Sequence, residues 1–482
     1  MVLLTKSKFM NGLQCPRLLW FANKKQLPES TLSDEHKFSQ GHDFEEYVKK
    51  LYPDSVDLNS LDFKENLEKT KEAVEQKKTI FEAGFMIDNL FVRSDLIIPK
   101  GDCWDLIEIK STTKSKPQHI PDLAFQKYVL EKAGMKVKKC FLIYLNKEYV
   151  KNGEIDPKEL IVQEEVTNQV NAFTDIESHI PKFIEVMNAV GYNDIPIGQH
   201  CNKPYECPLK NECWGTLPEN NVLQLTNWRI YWKLFNEGIQ DIKDIPTGTK
   251  LAAKDEVLIE SLEHNPYISK EHIKHFLSSL NYPLYHFDFE TFDTAVPLLD
   301  KSKPYQKIAF QYSLHIEQED GSIEHREFLA EGGEDPRPAM LQQMKTDLEG
   351  TGNIVAFNKS FEISVMNKLA EDFPEHKDWL LIAINRMVDL ADPFRAFYYY
   401  NKSQKGSYSI KKVLPAITGK SYSELEINNG GDASMLYFYS HIKLKLDNKE
   451  EIRANLLKYC GLDTEGMVWI IQELKKIVCD GR

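Results

Sequence analysis

Nowhere do the 482 residues string together the roughly 20 apolar positions that a membrane-spanning helix needs. No membrane partner is therefore expected. The opening Met1-Val2-Leu3-Leu4-Thr5-Lys6 turns polar too soon for a secretory leader, so the cytoplasm is the expected compartment. Cysteine is scarce as well. Eight in so long a chain exclude a disulfide scaffold, and in a reducing compartment clustered cysteines more often bind metal. Excess positive charge is missing: 60 Lys and Arg face 73 Asp and Glu, a net charge of -13. That excludes coating nucleic acid through bulk charge and leaves room for a local basic groove. There is no low-complexity tract or Gly/Ser-rich tether. What is present is an ordinary globular composition, 42% hydrophobic and 28% charged. The length is about three domains of roughly 150 residues, which predicts two or three folded domains.

Three of the eight cysteines fall together, Cys201, Cys207 and Cys213, in the segment HCNKPYECPLKNECW. Pro204 and Pro208 stiffen this loop, which suits thiolates converging on a small inorganic centre. A fourth ligand is needed. Cys15, in Gln14-Cys15-Pro16-Arg17, is the candidate and His200 its competitor. A tetrahedral zinc or a [4Fe–4S] cluster would accept four such ligands, and spacing alone does not choose between them.

The stretch Phe91–Ile98 reads as a strand carrying Asp95, and a turn at Lys100-Gly101-Asp102 leads to a second strand, Trp104–Lys110. In that second strand Glu108 and Lys110 are two residues apart and share a face, while Ile107 and Ile109 take the other. Phosphodiester hydrolysis uses this combination: carboxylates to hold a divalent metal and a lysine to orient water or stabilise the pentavalent phosphate. Between 108 and 139 there are eight lysines and three acids, a local excess of +5 that predicts a phosphate-facing groove. A helix over about 121–133 carries Gln126, and an apolar strand, Cys140–Leu145, follows.

Together, Asp95, Glu108-Ile109-Lys110, the Gln126 helix and the one-plus-three cysteine pattern resemble the RecB-like branch of the PD-(D/E)XK nucleases. Within it the pattern is most similar to the iron–sulfur subgroup of CRISPR-associated and AddB-like nucleases. The resemblance implies a restriction-endonuclease-like α/β domain over 1–215. Its [4Fe–4S] cluster would be held by Cys15, Cys201, Cys207 and Cys213. It also implies catalytic roles for Asp95, Glu108, Lys110 and Gln126, with metal bound by Asp95 and Glu108. Two positions depart from the pattern. Glu45 stands in Gly41-His42-Asp43-Phe44-Glu45 where the family has a metal-binding histidine, so Glu45, or His42 beside it, is the expected substitute. The family's Gln-x-x-x-Tyr is incomplete, with Leu130 at the tyrosine position and Tyr128 out of register.

From 216 to 282 the pattern is that of a helical connector, with amphipathic helices at Trp228–Asn236, Lys254–Glu263 and Lys270–Leu280. The aromatic stripe Trp228, Tyr231, Trp232 and Phe235 is expected to be core.

The last 200 residues, 283–482, carry a second acidic set. Asp288 and Glu290 share one face of the strand Pro283–Thr291, and two carboxylates at one spot repel unless a cation sits between them. Further strands are read at Ile308–Ile316, Gly321–Leu329 and Asn353–Phe357. The last of these leads into Asn358-Lys359-Ser360-Phe361-Glu362 and a helix. Tyr459-Cys460-Gly461-Leu462-Asp463 is read as the opening of the final helix, with Tyr459 and Asp463 one turn apart. Such groups can build a two-metal site. Asp288-Phe289-Glu290, Asn358-x-x-Phe361-Glu362 and Tyr459-x-x-x-Asp463 resemble the three motifs of the DEDD 3′–5′ exonucleases in their tyrosine variant, which have an RNase H-like α/β fold. Glu362 replaces the usual aspartate. The resemblance implies catalytic Asp288, Glu290, Glu362, Tyr459 and Asp463, the four acids binding Mg²⁺ or Mn²⁺ and the tyrosine orienting water. Asp389 and Lys411 read as a helix cap and a solvated lysine.

The expected function is thus a metal-dependent nuclease with nucleic acid as partner, DNA ahead of RNA, in repair or antiviral defence. One alternative is catalysis by the C-terminal module alone, with the N-terminal one a nucleic-acid clamp. Another is a non-catalytic scaffold.

Overall fold

The computed structural model describes residues 2–192, 195–444 and 446–479. The chain is a mixed α/β protein that packs as two compact units. The first comprises Met1–Thr216 and Thr294–Gln306; the second comprises Leu217–Asp293 and Lys307–Arg482. Among the described residues no helix is long and apolar enough to cross a membrane.

The first unit is built on a seven-stranded mixed sheet. Its long strands are β1 (Ile80–Ile87), β2 (Leu90–Lys100), β3 (Cys103–Lys110), β4 (Val137–Leu145) and β5 (Ile161–Glu165). β1, β2 and β3 run antiparallel in sequence, β4 lies parallel to β3, and β5 antiparallel to β4. Gly101, at φ +72, makes the tight β2–β3 turn that a side chain would strain. Alternation divides the sheet between two cores. Leu106 packs with Leu123 and Phe125, whereas Ile107 packs with Phe44 and Val48. Glu108 shares its face with Leu106 and so points toward the helices α1 (Lys6–Gln14) and α3 (His119–Lys132). The opposite face is covered by α2 (Leu32–Lys49). Phe9 of α1 stacks on Phe125 of α3 with ring centroids 4.4 Å apart, which locks the two helices together. The segment 294–306 completes this unit: the Ala295 N–H donates to Gln40 Oε1 at 2.5 Å, and the Tyr305 hydroxyl donates to the Ser111 carbonyl.

In the second unit five strands lie in the order β8 (Ile323–Leu329), β7 (Ile308–Glu317), β6 (Leu284–Phe292), β9 (Ile354–Ala356), β10 (Met387–Asp389). β7 is antiparallel to both neighbours, while β6, β9 and β10 are parallel. Tyr285, Phe287 and Phe289 enter one core with Met340, Met366 and Leu369. His286, Asp288 and Glu290 therefore face the other side, where α7 (Lys449–Cys479) lies. Gln311 Nε2 donates to the Leu456 carbonyl at 2.9 Å, and Ser313 Oγ meets Thr464 Oγ1 at 2.7 Å, pinning that helix to β7. Before it come α4 (Pro336–Asp347), α5 (Ser360–Asp372) and α6 (Ile410–Thr418).

Two expectations are corrected. The final helix does not open at Tyr459 but begins at Lys449 and runs through Gly461. A glycine costs about 1 kcal/mol relative to alanine inside a helix, and burial of Ile452, Leu456, Met467, Ile471 and Leu474 along one face outweighs it. Nor does the connector stand apart: Val222, Leu234, Ile242 and Leu258 pack with Phe397 and Tyr400 of the second unit. Its aromatic stripe is only partly core, since Trp232 is buried whereas Trp228 is 54% exposed under Arg229.

Two acidic centres and a cluster of thiols

Asp288 and Glu290 leave the same face of β6, and α7 brings Asp463 against them. One oxygen from each of the three lies within 4.8 Å of the others, the one such group of carboxylate, thiol or imidazole ligands among the described residues. They line a cavity of about 440 Å³ together with Glu362, Lys411 and Tyr459. Burial raises Asp288 and Glu290 well above the usual carboxylate range, and the neighbouring acids raise them further. Burial also raises Glu362 to about 8 and Asp463 to about 6. Asp463 is raised least because the Tyr422 hydroxyl donates to its Oδ1 at 2.5 Å and Lys411 lies nearby. Glu362 lines the cavity but stands outside the triad, and its Oε2 is buried with no hydrogen-bond partner. Crowded acids and an unpartnered buried oxygen are what a cation would satisfy, so the residues present fit a divalent metal.

In the first unit Asp95 of β2, Glu108 and Lys110 of β3 and Gln126 of α3 are brought together, as the motif predicts. Lys110 Nζ donates to Glu108 Oε1 at 2.5 Å and to Asp122 Oδ2 at 3.0 Å. Gln126 Nε2 donates to Glu108 Oε2 at 2.6 Å and to Asp122 Oδ1 at 3.0 Å, leaving Gln126 Oε1 buried and unpartnered. The Ile109 N–H donates to Asp95 Oδ2 at 2.8 Å. Burial would raise Glu108, but Lys110, Lys6 and Gln126 hold it below the carboxylate range. Asp95 is raised to about 8 by burial and by the Glu108 charge. Glu45 is more remote. It pairs with Lys49 at 3.3 Å, and its charge reaches Glu82, which burial raises to about 7 and which also feels Glu108. His42 is exposed. Tyr128 turns away and donates to Glu177 at 3.2 Å. The expected basic groove is in part neutralised, because Lys127, Lys132 and Lys139 pair with Glu131, Glu177 and Glu165.

Cys15 caps the C-terminal end of α1 and starts the helix Pro16–Asn23. Cys201 and Cys207 are joined by a Cys207 N–H to Cys201 carbonyl bond of 2.8 Å, and Cys213 lies on the short helix Lys210–Trp214. The four thiols are neighbours: burial raises Cys207, and Cys15, Cys201 and Cys213 raise it further. Leu18 and Leu209 pack around them. Gln14 Nε2 donates to the carbonyls of His200 and Tyr205 at 2.9 and 2.8 Å, tying α1 to the cysteine loop.

A family described as a domain of unknown function, DUF2779, matches residues 285–409. That stretch holds Asp288, Glu290 and Glu362 but ends before Tyr459 and Asp463. The chain is also similar to uncharacterised proteins of three mycoplasmas. Identity is 28% over 218 residues with one from Mycoplasma pneumoniae and 27% over 230 with one from Ureaplasma parvum. With one from Mycoplasma genitalium it is 25% over 217. The matches take in 40–41% of this chain and 32% of each relative, so the chain spans about a third of the length of the curated relatives it matches.

Several residues in these centres carry no motif of their own. Lys6 reaches Glu108 and Asp95 from α1. Asp122 has a legible signal in hindsight, since it precedes Gln126 by four residues and so shares its helix face. Tyr422 and Glu82 have none. Lys411 is not a solvated lysine: it is half-buried in the cavity, within 5.3 Å of the Tyr459 ring centroid, and burial lowers it despite Asp463 and Glu290. Asp389 is not a helix cap, since Ala391 holds the N-cap of the helix Asp392–Arg395; it is a buried acceptor for the N–H groups of Asn358 and Ala391 at 2.8 and 3.0 Å and for Arg395 at 2.8 Å.

Proposed function

We propose that this protein is a metal-dependent nuclease with a 3′–5′ exonuclease centre in the second unit and a PD-(D/E)XK centre in the first. The observation that carries the reading is the convergence of Asp288, Glu290 and Asp463 in one cavity beside Tyr459. The strand order, with the antiparallel β7 between β8 and β6, supports an RNase H-like domain. Asp288, Glu290 and Asp463, with Glu362 beside them, would hold Mg²⁺ or Mn²⁺. When bound, such ions supply charge neutralisation of the phosphate and activation of water. The protein's own groups do the rest. Burial holds the Tyr459 phenol far above its ordinary value, so it stays protonated and can orient a water by hydrogen bonding. Lys411 offers a cation to a phosphate oxygen, and Phe357 and Phe361 form an apolar wall against which a base can stack.

For the thiols, the reading is a [4Fe–4S] cluster, with zinc as the alternative. The neighbouring thiols of Cys15, Cys201, Cys207 and Cys213 support a four-thiolate centre, which either group would accept.

The test is degradation of labelled single-stranded DNA and RNA with Mg²⁺ or Mn²⁺ by the full chain. Asp288→Asn with Glu108→Gln abolishes cleavage, and a double variant as fast as the unaltered protein would end the proposal. A second reading, catalysis by the second unit alone, has one observation in its favour: two ammonium groups already occupy the carboxylates of the first. Cleavage that survives Lys110→Ala but is lost in Asp463→Asn selects it.

A further inference from the structure

Lys6 is the first residue of α1, which is capped by Thr5, whose Oγ1 accepts the Lys8 N–H at 3.4 Å. From there its side chain crosses to the acids of the sheet. Nζ lies 2.9 and 3.2 Å from the two oxygens of Glu108, 3.3 Å from Asp95 Oδ1 and 3.8 Å from Asp122 Oδ1. It thus bridges the two carboxylates that the nuclease reading assigns to the metal. Lys110 takes the other flank, between Glu108 and Asp122. Three carboxylates are set against two ammoniums, and Gln126 adds a buried oxygen with no partner.

The backbone position of Lys6 is rigid. Phe9 is stacked on Phe125, and Gly12 lies so close to Phe183 that a Cβ there would sit 2.8 Å from the ring. Gln14 is tied to the cysteine loop. The side chain is not rigid in the same way: it is 23% exposed and ends in a flexible four-carbon stem, so the ammonium can swing out while α1 stays in place. A divalent cation and an ammonium repel each other strongly at the separations one pair of carboxylates imposes. Lys6 is the ammonium that contacts both Asp95 and Glu108, so it and the ion compete for one pair of carboxylates, whereas Lys110 contacts Glu108 and Asp122.

We propose that Lys6 is a built-in competitor of the divalent ion at Asp95 and Glu108: its ammonium occupies their carboxylates and leaves when the ion binds. This rests on the nuclease reading of the first unit and adds to it a second lysine, outside the motif, that sets how much metal the site requires. Because α1 runs from Lys6 to Gln14 and is capped by Cys15, the same helix that holds the competitor is anchored at the thiols.

The experiment is Mn²⁺ binding to the full chain without nucleic acid, followed by electron paramagnetic resonance of the free ion. Asp288→Asn and Asp463→Asn are present throughout to silence the second unit. Lys6→Met keeps the length and removes the charge. It tightens Mn²⁺ binding by about tenfold or more, while Lys6→Arg stays as weak as the parent. Lys6→Gln gives the same reading should the methionine variant fail to fold. Unchanged affinity in the neutral variants, or Lys6→Arg binding as tightly as Lys6→Met, overturns the proposal. Glu108→Gln separates the two failures. If it abolishes Mn²⁺ binding while Lys6→Met changes nothing, the competitor role falls and the nuclease reading stands; if the parent and every variant bind no Mn²⁺, both fall.

Discussion

The Tyr422 hydroxyl spends its one proton on Asp463, 41 positions away, at 2.5 Å. That bond favours the ionised carboxylate, whereas burial disfavours it and raises Asp463 to about 6. Removing the donor leaves burial less opposed, so Asp463 moves up. In Tyr422→Phe the acid limb of the pH–rate profile is expected to shift to higher pH, because more alkali is needed to ionise Asp463. The plateau rate at high pH should change little. The check is a profile of Mn²⁺-dependent cleavage with Glu108→Gln in both chains, and an unmoved acid limb would refute the role. At the same scale, the Glu362 carboxylate lines the cavity but lies outside the Asp288–Glu290–Asp463 group.

Elements decide what these residues meet. β6 alternates Phe287 and Phe289 with Asp288 and Glu290, so one strand supplies both a core face and an acidic face. α1 is the corresponding element of the first unit, with Lys6 at one end and Cys15 at the other. Its nine residues span about 13 Å at 1.5 Å per residue, enough to join the acids to the thiols as one rod. If the thiols hold the proposed iron–sulfur cluster, Cys207→Ser is expected to lose its iron and visible absorbance in anaerobically purified protein and to lower the melting temperature of the first unit by several degrees. Metal analysis and calorimetry read both. A colourless parent protein carrying one zinc would replace the cluster by the alternative centre.

For the whole molecule, part of the net charge of -13 is concentrated where it is hardest to ionise. Asp288, Glu290, Glu362 and Asp463 are all raised in the folded chain, Asp463 to about 6 and Glu362 to about 8. Unfolded carboxyls titrate near about 4. Below that pH both states hold these protons and the acids do not affect stability. As pH rises through the folded values, the native state must give up protons it holds more tightly than the unfolded chain, so stability falls. A divalent ion bound by the triad reverses the loss. Mn²⁺ should therefore raise the melting temperature more at pH 8 than at pH 5, and Asp463→Asn should shrink that difference. Equal shifts at both pH values, by scanning calorimetry, would contradict the linkage.

Short-range spacing was enough to read the α/β class, the β2–β3 hairpin with its Glu108–Lys110 pair, the shared face of Asp288 and Glu290, and the grouping of three cysteines, because strand and helix periodicity acts over two to four residues. The opening of the final helix at Tyr459 was misplaced for the same reason: local spacing does not show that burial along the whole of α7 carries the helix from Lys449 through Gly461. The partners that complete each site come from far along the chain. Lys6 lies 102 positions from Glu108, Cys15 lies far from Cys201, and Asp463 lies far from Asp288. No periodicity spans such separations. Which cation faces which acid, and which phenol faces Asp463, follows from how the helices pack onto the sheets, since apolar burial pulls Phe9 onto Phe125 and buries Leu456 and Ile471 of α7 without regard to the polar groups carried along.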